Sequence, residues 1–468
     1  ADGVGDGEGL RPGTSAAPTG RVVGHAVCRT WPARLRWALL NRRGFAISST
    51  HAAKATRGRA LFAGTIGNLV EWFDWSVYAF FLPYFAAAFF PTGDRIAQLL
   101  AGFLVFAIGF FMRPLGGALL GSYADRHGRR AGMTLGITLM AGASLVIALL
   151  PDYSLIGVAA PILLTLARCV QGISAGGEFG ISSAFLVENA PPGRRAWAGS
   201  FQQVSVGAGT LLASVLAAAM FLGLPDADLT AWGWRVAFGV GALLGFLGLW
   251  LRLVVPDTAS FNRVREEGRI AARPLAKVLR EHPRSVLRII GMVAAGTALV
   301  QFWFVSLPSI MNLRTGVELA DAQLATMLGL AAFTVLQPVS GWLSDRFGRR
   351  PLLLVFALGS AISFVPMLST VGMTMSSVLV AVAVNAVLLA AYAGSLAAVM
   401  AEQFPAEVRT AGISLPYGIA VAVFGGLTPV LATASLQHDV FWIFQAAMVA
   451  LCLISAAVFW RMPETSGT

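Results

Sequence analysis

Charge is scarce in this chain: only 12% of its 468 residues are Asp, Glu, Lys or Arg, whereas 56% are hydrophobic. No water-soluble domain of this length needs so apolar a composition for its core. Cysteine is nearly absent, with Cys28, Cys169 and Cys452 far apart. That excludes a disulfide framework and a thiolate zinc site. Lysine occurs only at Lys54 and Lys277, a bias associated with GC-rich bacterial genomes. The first Met is Met112, inside a predicted helix, so a trimmed initiator Met or another start codon is expected. No nucleophile with an adjacent base, no metal cluster and no phosphate-binding loop can be picked out, which argues against an enzyme.

What is abundant is apolar sequence in runs of about 20 residues, each long enough to cross a ~30 Å hydrocarbon layer as a helix. Hydropathy places them near 60–90, 97–121, 131–150, 155–189, 198–222, 232–254, 286–311, 322–343, 351–370, 373–402, 411–434 and 439–461. The reading is therefore an all-α membrane protein with twelve spans. The net charge of +11 suggests nucleic acid at first sight, but the arginines lie in connectors, so it reads as a topology signal. Arg126, Arg129 and Arg130, then Arg194 and Arg195, the run Arg263 to Arg284, then Arg346, Arg349 and Arg350, and Arg409 all follow even-numbered helices. The opposite connectors carry Asp94 and Arg95, Asp152, Asp226 and Asp228, Arg314 with Glu318 and Asp321, and His438 with Asp439. By the positive-inside rule both termini are expected in the cytoplasm.

Residues 1–58 read as a disordered cytoplasmic tail; Arg29 to Phe45, rich in Arg, Trp and Leu, could instead lie along an anionic membrane surface. Residues 59–255 form a first six-helix half, 256–285 a polar cytoplasmic linker, and 286–468 a second half. The halves repeat. GSYADRHGRR at Gly121 to Arg130 returns as GWLSDRFGRR at Gly341 to Arg350. Glu188, Pro191 and Arg195 return as Glu402, Pro405 and Arg409, and Pro256-Asp257-Thr258 as Pro463-Glu464-Thr465. Three landmarks in one order indicate duplication, the build of transporters that rock two halves about a midplane site.

An ionisable side chain inside a span is costly and so is a functional candidate. Asn68, Glu71, Asp74 and Tyr78 fall on one stripe of the first helix. Arg168, Gln171 and Glu178 share a stripe of the fourth, beside Gly172, Gly176 and Gly180, whose spacing admits a close neighbouring helix. Arg113 stands in the second helix. Carboxylates so close in low dielectric cannot all stay charged, so Asp74, Glu71 and Glu178 are proton-coupling candidates. Asp74 is the first choice, alternating between a protonated form and a pair with Arg168. The competing reading is a permanent structural pair of Glu71 or Asp74 with Arg113 or Arg168. Substrate candidates are Arg113, Arg168, Gln171 and Tyr78, with uncharged Gln301, Asn385 and Tyr392 from the second half. Arg235 could add a cation at the outer mouth. Phe302, Trp303 and Phe304 read as packing or lipid contacts, and Pro416, Tyr417 and Gly425-Gly426 as a break in the eleventh helix. In the repeated loop, Gly128 and its counterpart Gly348 suit a turn of positive φ. Asp125 can meet Arg129 or a neighbouring helix N-terminus.

The blocks GNLVEWFDWSVYAFF from Gly67, RPLGG from Arg113, RCVQGISAGGEFG from Arg168 and WGWRVAF from Trp232, together with the doubled loop, resemble those of the major facilitator superfamily and its metabolite:proton symporters. The likeness runs from about residue 60 to the C-terminus. It implies the major facilitator fold and a monomer in the bacterial inner membrane that imports a small organic acid with protons, a dicarboxylate such as alpha-ketoglutarate favoured. It implies no cofactor beyond the proton gradient, and no partner beyond substrate, protons and lipid. It also implies a conformational latch formed by Asp125, Arg126 and Arg129 and by Asp345, Arg346 and Arg349. Sugar carriers of the same superfamily place an acid and an Arg on helices 1 and 4. The alternatives are symport of a zwitterion or shikimate-like acid, or proton-antiport efflux. Ser205 to Thr210 has the glycines of an exporter's fifth helix but no proline.

Overall fold

The computed structural model describes residues 62, 64–91, 93–307, 310–311, 319–370 and 375–465. The expectations for the N-terminal tail, for Arg314 and Glu318, and for the Asp321 side chain lie outside the described residues. With no water in a bilayer core, a backbone can cross only if its N–H and C=O groups pair within the segment, and apolar runs of this length do so as helices. Residues 64–89 form α1. It is followed by α2 (Ala97–His127), α3 (Arg129–Leu149), α4 (Ala159–Glu188), α5 (Arg195–Gly223), α6 (Asp226–Leu253), α7 (Pro283–Ser306), α8 (Leu324–Phe347), α9 (Arg349–Thr370), α10 (Ser376–Ala401), α11 (Arg409–Leu436) and α12 (Phe441–Arg461). This is the expected twelve-helix plan in two six-helix halves. Outward side chains such as Leu222 and Ile362 stay exposed where a water-soluble fold would bury them.

The main differences from the hydropathy reading are at helix ends. The loop motifs are mostly helix: α2 runs on to His127 and α8 to Phe347, and only Gly128 and Gly348 leave the helix. Their φ values of 107° and 101° are the positive angles expected for glycine there. Hydropathy ends a helix where apolar residues end, but the backbone hydrogen bonds continue. The fourth helix starts late, because Gly157 at φ 57° separates a short turn, Tyr153–Ile156, from α4.

Between the halves, Ala259–Glu266 and Pro274–Glu281 form two short helices. Thr258 caps the first by accepting from the Phe261 N–H at 3.2 Å. The second buries Pro274 and Val278 and presents Lys277 and Arg280. Within each half, α3 packs on α6 and α4, and α8 on α10. Across the halves the main seams are α2 with α11 and α5 with α8. The glycine row of α4 serves both kinds of contact. A Cβ on Gly172 would lie 2.1 Å from the Gly109 carbonyl and one on Gly176 1.9 Å from that of Arg113, both on α2; one on Gly180 would meet Ser414 of α11 at 2.0 Å. The irregularity expected in the eleventh helix falls at the π-helical turn Val421–Gly425.

Candidate functional site

The α1 stripe meets its partners inside the first half. Glu71 is 3.2 Å from Arg113 of α2, and both are buried. Asp74 does not touch Arg168 directly. A file of hydrogen bonds joins them instead: Arg168 Nη1 donates to Gln171 Oε1 at 2.7 Å, Gln171 Nε2 donates to Ser144 Oγ at 3.0 Å, and Ser144 Oγ donates to Asp74 Oδ2. The expected Asp74–Arg168 pair is thus replaced by a relay through Gln171 and Ser144, because Ser144 of α3 reaches the carboxylate first. Ser144 was not legible as a site residue; a buried serine in an apolar helix looks like any other small residue. Room for Asp74 depends on α6, where a Cβ on Gly241 would sit 2.2 Å from Asp74 Oδ1.

Trp75 stands between the two cations. The Arg168 guanidinium lies 4.1 Å from its ring centroid and that of Arg113 4.8 Å. Arg113 also faces Phe110 at 4.4 Å, and Arg168 faces Tyr78 at 4.3 Å. Tyr78 donates its hydroxyl to the Gly102 carbonyl at 2.9 Å, which holds the ring in place. Arg168 Nε and Nη2, Arg113 Nε, Asp74 Oδ1 and Trp75 Nε1 are buried without a hydrogen-bond partner among the described residues. Unspent donors and acceptors of this kind are costly unless a ligand uses them.

Glu178 has its own partner, Arg252 of α6, which grips both carboxylate oxygens, one of them at 3.1 Å, and also donates to the Met133 carbonyl. Sequence reading missed Arg252 because an arginine near a helix end looks like a topogenic charge. The pair is packed so tightly that a Cβ on Gly67 would lie 2.0 Å from Arg252 Nη2.

The second-half candidates are dispersed. Asn385 donates to the Ala381 carbonyl at 2.8 Å on its own helix, and Tyr392 lies against Phe356 at 4.8 Å in an apolar core. No hydrogen bond or ion pair among the described residues links Gln301, Asn385 or Tyr392 to the α1 cluster. Of the second half, Tyr417 of α11 does meet α4, stacking on Phe179 with ring centroids 3.6 Å apart. Phe302 and Trp303 pack with Phe364 as core. Arg235 donates to the Leu150 carbonyl at 3.3 Å.

At the end of the bundle that carries the repeated loops, the two motifs close across the halves. Asp125 pairs with Arg129 at 3.1 Å and accepts from the Thr410 and Ala411 N–H groups at 3.2 and 2.9 Å, at the start of α11. Asp345 pairs with Arg349 at 2.7 Å and accepts from the Ala196 and Trp197 N–H groups at 2.9 and 2.8 Å, at the start of α5. The other repeated landmarks join in. Arg129 reaches Glu188 at 3.2 Å and its backbone N–H reaches Asp257 at 3.1 Å; Arg349 reaches Glu402 at 3.3 Å and its N–H reaches Glu464 at 2.8 Å. Burial, the largest influence on Asp257, pushes its carboxyl above the usual carboxylate range against the pull of Arg129. Arg126 and Arg346, expected in the latch, stay out of it. Both are exposed, and Arg346 lies over the Trp342 and Phe347 rings instead. One helical position after the Asp, the side chain points away from the neighbouring half.

The sequence matches the family model described as Sugar (and other) transporter over residues 60–301 and that of the Major Facilitator Superfamily over 290–468. It is 38% identical to the alpha-ketoglutarate permease of Escherichia coli strain K12, over 85% of this chain and 92% of that one. It is 34% identical to a citrate-proton symporter of Klebsiella pneumoniae, over 82% and 87%, and 30% identical to the proline/betaine transporter of Escherichia coli strain K12, over 84% and 82%. Among solved structures it resembles the proton:xylose symporter XylE bound to 6-bromo-6-deoxy-D-glucose, with a TM-score of 0.74 at 19% identity over 89% of this chain and 98% of that one. The chain is therefore a transporter and not an enzyme, and it belongs to the major facilitator superfamily, on its alpha-ketoglutarate permease-like branch.

Proposed function

We propose that this protein is a proton-coupled symporter that imports a small organic acid, alpha-ketoglutarate first among candidates, across a bacterial inner membrane by alternating access. The observation that carries the reading is the Arg113–Trp75–Arg168 stack, two buried guanidiniums of which one is paired with Glu71 of α1 and the other is linked to Asp74 of α1 through Gln171 and Ser144. A dicarboxylate offers two anionic ends to two such forks. The site acids supply the proton side. With Asp74 neutral, Ser144 and Gln171 no longer tie Arg168 to a charge, and the guanidinium turns to substrate; with Asp74 ionised, the relay recaptures it. Relatives named for alpha-ketoglutarate and for citrate–proton symport support the same class.

In this reading residues 59–255 and 286–468 rock about 256–285, the loop-motif face is cytoplasmic together with both termini, and a monomer suffices. Gating rests on the Asp125–Arg129 and Asp345–Arg349 clusters at Gly128 and Gly348, which hold that face shut. A zwitterionic substrate is the second reading. Glu71 neutralises Arg113 at 3.2 Å, leaving one effective cation, and a proline/betaine transporter is among the relatives.

The deciding experiment is uptake of radiolabelled alpha-ketoglutarate into vesicles with an imposed inward proton gradient, with citrate, shikimate and proline as competitors. Accumulation that protonophores abolish and only alpha-ketoglutarate suppresses is expected. Uptake that survives protonophores and follows sodium overturns the coupling; uptake of proline instead establishes the second reading.

A further inference from the structure

Outside the transport path, a cavity of about 630 Å³ opens on the loop-motif face. Its lining brings together arginines from three separate parts of the chain: Arg195 at the start of α5, Arg409 at the start of α11, and Arg263 and Arg269 from the segment between the halves. Two carboxylates, Glu188 and Glu402, also line it. Both are already engaged. Glu188 is held by Arg129 at 3.2 Å and Arg409 at 2.7 Å, and Glu402 by Arg349 at 3.3 Å. Arg269 is paired with Glu267 and Glu407.

The remaining charge faces the cavity. Arg263 is exposed and forms no ion pair among the described residues. The repeat is also uneven here. Arg409 is 2.7 Å from Glu188 with its side chain 19% exposed, whereas its counterpart Arg195 stands 4.0 Å from Glu402 and is 44% exposed. Arg195 thus reaches the opening with its side chain partly exposed.

We propose that this cavity is a binding site for a small polyvalent phosphate-type anion, either soluble or the headgroup of a lipid. Its size is that of a metabolite site. A monocarboxylate fills one guanidinium fork, whereas a phosphate group presents three acceptor oxygens and can engage arginines from different segments at once. Such an anion would tie the first half, the intervening segment and the second half together.

The test uses purified full-length protein and its thermal unfolding midpoint. Inorganic pyrophosphate is titrated in detergent against sodium chloride at matched ionic strength; in a second arm, vesicles of phosphatidylglycerol are compared with phosphatidylcholine. Expected is a saturable rise of about 1–3 °C at saturation in the wild type and in Arg280→Gln, an exposed cation outside the cavity, and its loss in Arg263→Gln. A rise with pyrophosphate identifies a soluble anion as ligand, and one confined to phosphatidylglycerol identifies a headgroup. A rise that chloride reproduces, a rise that persists in Arg263→Gln, or no rise in either arm overturns the proposal.

Discussion

Arg409 of the second half lies 2.7 Å from Glu188 of the first, the same carboxylate that Arg129 holds at 3.2 Å. One buried glutamate therefore neutralises a cation from each half, and separating the halves at this face breaks the arrangement. Glu188→Gln is expected to leave buried Arg129 with Asp125 as its remaining ion-pair partner and half-buried Arg409 without its counter-charge, and to cost about 3 kcal/mol of stability. Arg195→Gln, removing a partly exposed cation 4.0 Å from its acid, is expected to cost under about 1 kcal/mol. Denaturation midpoints of the two variants check the ranking; equal losses would contradict it.

Asp74→Asn is expected to abolish accumulation against a gradient while substrate exchange continues, because an amide cannot release a proton. Vesicle uptake with and without an imposed proton gradient measures both. Near-normal accumulation would make Asp74 a structural partner of Ser144 and nothing more.

Ser144→Ala removes the middle of the relay from Arg168 to Asp74. It leaves a buried carboxylate oxygen and the Gln171 amide without their partner, a loss of roughly 1–3 kcal/mol. Uptake on the order of tenfold slower, with a displaced pH profile, is the expected result. An unchanged profile would show that Ser144 only fills space.

Gly67→Ala is expected to be more disruptive than a single methyl suggests. The new Cβ would stand 2.0 Å from Arg252 Nη2 and 2.5 Å from Glu178 Oε1. Overpacking of this kind costs about 1–3 kcal/mol, and a fluorescence-based thermal scan suffices to detect it. Gly142→Ala, with nothing within 4 Å of its added carbon, is the matched control.

Glu407 sits between Lys277 and Arg269 of the intervening segment, and the hydrogen bond from Lys277 holds its carboxyl below the usual Glu range. A carboxyl depressed by folding contributes stability that is present above its unfolded pKa of ~4.3 and is lost as pH falls through the lower folded value. Glu407→Gln should therefore lower the unfolding midpoint by the same small amount at pH 6 and pH 8. The difference from wild type should begin to shrink as pH falls past about 4 and vanish only below the depressed folded value. A difference that instead changes between pH 6 and 8 would locate the effect elsewhere.

The sequence by itself determined the twelve spans, since a bilayer demands apolar helices of fixed length and nothing else in the chain competes with that demand. It also determined the duplication, because Asp125, Arg129 and Glu188 recur as Asp345, Arg349 and Glu402, and it picked out the charged stripe of α1. Which charge meets which was settled only by tertiary structure. Glu71 with Arg113, Glu178 with Arg252, and Asp74 with Ser144 join helices that are distant in sequence. In a low-dielectric interior a carboxylate takes the nearest donor that packing delivers, whatever its spacing along the chain. The same reason separates Arg126 from Arg129. Both are arginines of one motif, but Arg126 faces outward on the last turn of α2, whereas Arg129 opens α3 beyond the Gly128 break and is buried against the opposite half.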